Sequence, residues 1–157
     1  MSAHIRVPRM FSRAGAVSAL TVAAVGGTVA TPGGPPEAEA ATVAAKALRI
    51  AASKKGAPYQ YGATGPKRFD CSGLTQYAYK RAGKRLPRTA AAQYNRTRHI
   101  KVASRKGGDL VFFHSGSGVY HVAVYAGGGR VWHAPKTGSV VRLERIWTKK
   151  VSYGHVR

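Results

Sequence analysis

The hydrophobic period of this chain changes once, near Gly107–Gly108, and that change restricts the fold more than any other feature. Before it, apolar residues recur at helical spacing. Residues 42–55, "TVAAKALRIAASKK", place Val43, Ala44, Leu48, Ala51 and Ala52 along one face, with Thr42 expected to cap the start and Gly56 the end. "SGLTQYAYKRAG" spaces Leu74, Tyr77, Ala78 and Ala82 in the same way, with Gly83 beyond a basic last turn. A short helix is expected at "RTAAAQYNRTR". After the change, "DLVFFH", "VYHVAVYA", "GRVWHAP" and "GSVVRLERI" are short β-branched or aromatic runs separated by Ser/Gly and Gly-Gly-Gly turns, and "TKKVSYGHVR" adds a last strand. Helices first and an antiparallel sheet after them make an α+β fold, predicted as one domain over residues 41–157.

Residues 1–40 read differently. Arg6, Arg9 and Arg13 precede a 17-residue small and apolar run, which is followed by a Pro/Gly segment and Ala38-Glu39-Ala40. A basic region, an apolar region and a small-x-small site describe a secretory signal peptide cut before Ala41. The apolar run falls short of the roughly 20 residues a membrane span needs, so no stable span is expected after cleavage. No cysteine follows it to carry a lipid, and no Arg-Arg pair suggests the twin-arginine route. The expected location is extracellular or wall-associated.

Export changes the meaning of the charge. The chain carries 26 lysines and arginines against 5 acids, a formal +21. Residues 1–40 hold three of those arginines and two glutamates, which leaves 23 basic and 3 acidic residues, or +20, on the remaining 117. Such a surface attracts polyanions. Outside a cell, anionic wall polymers are the expected partner and nucleic acid is not. The plainer alternative is that the charge only solubilises the surface.

Export also isolates Cys71, the single cysteine, in "RFDCSGLTQY". Exported domains use cysteines in pairs, and one left over points to a reactive thiol or an intermolecular bridge; the competing explanation is a packed side chain. Cys71 stands where a loop ends and a helix begins, where unpaired N–H groups and the helix dipole favour a thiolate and a developing oxyanion. Asp70 beside it would oppose a thiolate unless it faces a cation, which suggests a separate role for the carboxylate.

Histidine is the natural base. His114 ends a strand, while His99 and His155 lie in polar or terminal context. Strand alternation puts His121, Ala123 and Tyr125 on one face, and the "GGGR" turn brings His133 back as a cross-strand neighbour of His121. Cys71, His121 and His133 therefore form a coherent nucleophile, base and orienting group. A Cys/His/His set could instead bind zinc, but it lacks the paired spacing of structural zinc sites. Ordinary packing of strand histidines remains the other alternative.

These residues belong to a longer pattern. "GAPYQYGATGPKRFDCSGLTQYAYKRAGKRLPRTAAAQY", then "GGDLVFFH" and "HVAVYAGGGRVWHAP", closely resembles the NlpC/P60 family of bacterial cell-wall cysteine peptidases, over roughly residues 43–157. The resemblance implies a reduced papain-like fold, with the cysteine opening a helix packed on an antiparallel sheet. It implies Cys71 as nucleophile, His121 as general base, His133 as its orienting residue and Tyr59 beside the nucleophile as oxyanion support. Asp70 and Ser72 match residues that bind a substrate amine in members cutting next to a free amino terminus; Asp70 could equally cap the helix. Arg88, Thr89 and Gln93 match the Leu-Pro-Arg-Thr…Gln stretch and read as structural first, groove-lining second. Ala63, Gly107 and Ala123 depart from the usual residues without touching the proposed triad.

The implied function is a secreted, monomeric peptidoglycan endopeptidase, without metal or organic cofactor, acting on stem peptides at the bond joining the γ-carboxyl of D-glutamate to the diamino acid. Two alternatives stand beside it. One is an amidase or acyltransferase on the same fold; the other, of a different class, is a non-enzymatic wall or polyanion binder.

Overall fold

The computed structural model describes residues 36–157. Most of the expected signal segment, residues 1–35, lies outside the described residues. No helix among the described residues is long and apolar enough to cross a membrane.

The first helix, α1 (Pro36–Ser53), begins six residues before Thr42. Proline at its first position and Glu37 and Glu39 in its first turn suit a helix start, sterically and against the dipole. Thr42 is therefore interior rather than a cap, and its hydroxyl donates to the Ala38 carbonyl at 2.9 Å. The buried face is Ala40, Ala44, Ala47 and Ala51, one small residue per turn. Small side chains let backbone come close: a Cβ placed on Gly108 would stand 2.2 Å from the Ala44 carbonyl oxygen. Gly108 also needs its glycine for φ +98°. The turn at which the hydrophobic period changes is thus seated directly on α1.

Helix α2 (Cys71–Ala82) starts at the cysteine and stops at Gly83, whose left-handed backbone closes the last turn. It buries Leu74, Ala78, Tyr79 and Ala82. Tyr79 is fully buried, and its hydroxyl donates to the Gly108 carbonyl at 2.6 Å, as a buried phenol requires. Thr89 caps α3 (Ala90–Arg96) through the Ala92 N–H. The chain then turns extended at Thr97, so the helix stops two residues short of the expected end at Arg98, which instead begins β1 (Arg98–Ile100).

A short 3-10 turn over Val102–Ser104 precedes β2 (Leu110–Ser115), β3 (Gly118–Gly127), β4 (Arg130–His133), β5 (Arg142–Arg145) and β6 (Val151–His155). The six strands form one antiparallel sheet in the order β1-β6-β2-β3-β4-β5. Alternation sorts its residues into two apolar clusters. Leu110, Phe112, Val122 and Val124 pack with Ala47 and Ala51 of α1 and with Ala78, Tyr79 and Ala82 of α2. Val111, Phe113, Ala123, Tyr125, Val131 and Tyr153 form the second cluster. The fold is the α+β arrangement expected, with helices packed on an antiparallel sheet.

Candidate active site

Cys71 is the first residue of α2, and the residue before it holds the whole turn. Asp70 is the N-cap: its Oδ1 accepts from the Gly73 N–H at 2.7 Å and its Oδ2 from the Gly62 N–H at 2.9 Å. The Asp70 N–H in turn donates to the Ala63 carbonyl at 3.0 Å. The loop before the cysteine and the first turn of the helix are thereby one hydrogen-bonded unit.

The cation that Asp70 needs is Arg88. Its Nη1 and Nη2 reach the two carboxylate oxygens at 3.1 and 2.5 Å, and Nη1 also donates to the Ser72 hydroxyl at 2.9 Å. Burial alone would raise the Asp70 carboxyl. The Arg88 bond and charge, with the Gly73 and Gly62 N–H groups, outweigh it and hold the group below the usual aspartate value. Asp70 thus caps the helix, as one of its two expected roles required. Arg88 and Ser72 turn out to be parts of the same network.

Gln93 is fully buried and structural, its amide donating to the Ser72 and Pro87 carbonyls at 3.0 and 2.9 Å and its oxygen accepting from Thr75 at 2.6 Å. It clamps the first turn of α2 to the segment that carries Arg88.

Cys71, Asp70, Ser72, Arg88, Tyr59 and Tyr61 line one cleft of about 440 Å³. Tyr59 is brought beside the thiol: burial raises its phenol, and the nearby Cys71 and Asp70 raise it further. Protonated, it is a hydrogen-bond donor at the cleft wall.

Burial pushes the Cys71 thiol up, Asp70 adds to this, and the backbone N–H groups of Val122 and Ser72 pull it back only in part. The direction is opposite to the lowering that a helix N-terminus would cause by itself. Val122 is the residue after His121 on β3, so the sulfur lies against the strand that carries the expected base.

His121 and His133 are brought together as the strand pattern predicted. Both are buried, and His121 Nε2 lies 2.9 Å from His133 Nδ1. Among the described residues no hydrogen bond joins Cys71 to either histidine. Burial, then the neighbouring His133, depresses His121 to about 3, with Glu144 acting weakly against them. Burial also lowers His133, against the pull of Glu144. Burial thus favours the uncharged forms of the thiol and of both imidazoles.

Two residues of this site were not singled out in the sequence. Glu144 accepts from His133 through Oε2 at 2.9 Å, and Arg142 Nε donates to the same oxygen at 2.8 Å. Its signal was available, because only three acids follow residue 40 in a strongly basic chain. Trp147, half-exposed, stacks on Phe113 with centroids 4.2 Å apart and stands 5.8 and 5.2 Å from the rings of His121 and His133. It shields the histidine pair, and nothing in its sequence neighbourhood announces that.

Comparison with known proteins identifies the family and the fold. Residues 56–156 match the NlpC/P60 family. A probable endopeptidase p60 of Listeria monocytogenes is 46% identical over 106 residues, 64% of this chain and 22% of that protein. The bifunctional muramidase/DL-endopeptidase CwlT of Bacillus subtilis is 40% identical over 95 residues, 58% of this chain and 29% of that protein. The chain thus spans less than a third of either relative. The crystal structure of the NlpC/p60 domain of the peptidoglycan hydrolase SagA superimposes with TM-score 0.65 at 33% identity, covering 73% of this chain and 98% of that domain. With the helix that opens at the cysteine, the sheet behind it and a sequence match running from Gly56 to Val156, this chain belongs to the NlpC/P60 family.

Proposed function

We propose that this chain is a cysteine endopeptidase that hydrolyses peptidoglycan stem peptides, with Cys71 as nucleophile, His121 as general base and His133 orienting His121. The observation that carries the reading is the pairing of a helix-opening cysteine, packed against β3, with a buried, hydrogen-bonded histidine pair contributed by β3 and β4.

The steps balance as follows. His121 Nδ1 takes the thiol proton as sulfur attacks the amide carbonyl, forming a C–S bond and an oxyanion. The Cys71 N–H, free of the helix ladder at its first position, and the Tyr59 hydroxyl stabilise that oxyanion. The imidazolium then returns its proton to the departing amine, leaving a thioester. Water, deprotonated by the same imidazole, cleaves the thioester to a carboxylic acid and regenerates the thiol.

Asp70 and Ser72 stand at the cleft wall where the free amine of a trimmed stem peptide would bind. Arg88 already neutralises Asp70, so an incoming ammonium shares that carboxylate rather than meeting a lone one. The proposed bond is that between the D-glutamate γ-carboxyl and the diamino acid; the DL-endopeptidase name of one relative supports this choice. Digestion of purified sacculi followed by mass spectrometry tests it. New termini at that bond are expected; release of sugar fragments alone, or transfer of the acyl group to an amine, would replace the endopeptidase reading.

The same proposal places the enzyme outside the cell, with residues 1–40 as a removed signal peptide and residues 41–157 as the catalytic domain. Cleavage before Ala41 would cut within α1 and take away Glu37 and Glu39, which pair with Arg98 at 3.9 Å and Lys84 at 3.5 Å. The product is the monomeric +20 domain, held on anionic wall polymers by its surface. Sedimentation with sacculi should weaken as salt is raised through the physiological range, because a Debye length of about 10 Å at 0.1 M shrinks steeply beyond it. Binding indifferent to salt would remove charge as the tether.

A further inference from the structure

Only three acids follow residue 40, and each has a particular cationic or imidazole partner. Asp70 holds Arg88, Asp109 Oδ1 faces His155 Nδ1 at 2.7 Å, and Glu144 holds His133 and Arg142. The first caps the nucleophile's helix and the second ties β6 to the start of β2. Glu144 alone is bonded to a member of the proposed catalytic pair.

The strands dictate that contact. Glu144 on β5 is opposite Val131 on β4, and His133 lies two residues further on the same face, so the carboxylate reaches His133 along the diagonal. Arg142, opposite His133, donates to the same oxygen and aims it.

We propose that Glu144 is a positioning residue that fixes the protons of the His121–His133 pair, so that His121 presents an unprotonated Nδ1 to the thiol. The inference rests on the reading of Cys71 and His121 as nucleophile and base.

The argument follows from donor and acceptor counting. An ionised carboxylate only accepts, so His133 must carry its proton on Nε2, the nitrogen 2.9 Å from Glu144. A neutral His133 then has only a lone pair on Nδ1. The partner of that lone pair, His121 Nε2 at 2.9 Å, must be the N–H donor. Neutral His121 therefore has its proton on Nε2, and its remaining nitrogen, Nδ1, is free to accept. Without an acceptor at position 144 the opposite order is equally open: His133 would donate from Nδ1, and His121 would carry its proton on Nδ1, where it cannot serve as a base. Arg142 keeps the acceptor ionised, its bond being the largest influence holding the Glu144 carboxyl low.

The test is made on the unliganded protein, so it is independent of which substrate the enzyme cuts. Long-range ¹H–¹⁵N spectra of ¹⁵N-histidine-labelled wild type should show both His121 and His133 as Nε2–H tautomers. A wild-type His133 protonated on Nδ1 overturns the proposal at once. Glu144→Leu, which removes the acceptor and fills its space, should yield mixed tautomers at both rings. On whatever stem peptide the wild type cleaves, its kcat should fall about 10- to 100-fold with KM little changed. Glu144→Gln keeps an oxygen aimed by Arg142 and should retain the wild-type tautomers and most of kcat. Unchanged tautomers and kcat in Glu144→Leu, or a Glu144→Gln enzyme as slow as Glu144→Leu with wild-type tautomers, would refute it. A wild type that shows the predicted tautomers but cleaves no stem peptide would count against the proposed function and leave this proton order supported.

Discussion

Cys71→Ser should lose stem-peptide hydrolysis by at least about 10⁴-fold, the scale seen when a nucleophile acting as part of a unit is removed. Serine is only slightly smaller and keeps the first helical position, so thermal stability should change little, as expected where no large cavity is opened. The hydroxyl is a far weaker acid than the thiol, and His121, depressed to about 3 by burial and its neighbour, is a weak base in the free enzyme. On the proposed mechanism, proton transfer is coupled to attack rather than completed beforehand. One consequence is measurable in the wild type. Alkylation of Cys71 in the free enzyme should rise only at alkaline pH, above the ordinary thiol range, because burial raises the thiol. A plateau of fast alkylation between pH 5 and 7 would instead reveal a preformed thiolate–imidazolium pair. Cys71→Ser protein with wild-type turnover would remove the thiol from the mechanism altogether.

Gly73→Ala should damage both the fold and the site. A Cβ at position 73 would stand 2.0 Å from the Ala63 carbonyl oxygen and 2.9 Å from Asp70 Oδ1. Neither atom can yield cheaply. Ala63 O accepts the Asp70 N–H, and Asp70 Oδ1 accepts the Gly73 N–H and lies within reach of Arg88. Relief of the clash must separate the loop from the helix and break the cap. Overpacking of this kind costs about 1–3 kcal/mol, and loss of an N-cap adds about 1 kcal/mol. Denaturant titration should show a destabilisation of that combined size, and turnover should fall with it because the cap positions Cys71. Gly107→Ala is the matched control. Its Cβ would meet only the flexible Leu48 Cδ2, at 3.2 Å, and it should stay near wild type. Equal stability for the two variants would show that the close approach at Gly73 carries no weight.

The places where the sequence was legible have a common cause. Helix α2 was readable because its start, apolar face and stop lie within thirteen contiguous residues, Cys71 to Gly83. The histidine pair was readable because two strands joined by a tight glycine turn have little freedom in register. In both cases the controlling interactions are local, and local propensity agrees with the final fold.

Other features depended on distance in the chain. Arg88 is 18 residues from Asp70, and only the path of the loop after α2 makes it that carboxylate's partner. Glu144 reaches His133 along a diagonal set by the pairing of β4 with β5. Trp147 covers the histidines from a loop that no periodicity describes.

The thiol marks the division most clearly. Its identity, its place at a helix start and its lack of a disulfide partner were determined by the sequence alone, because they are properties of neighbouring residues and of a count. The direction in which its acidity shifts was decided by the tertiary structure. Unpaired N–H groups at a helix start favour the anion, but packing α2 against β3 removes solvent from the sulfur and places Asp70 beside it, and desolvation outweighs the local dipoles.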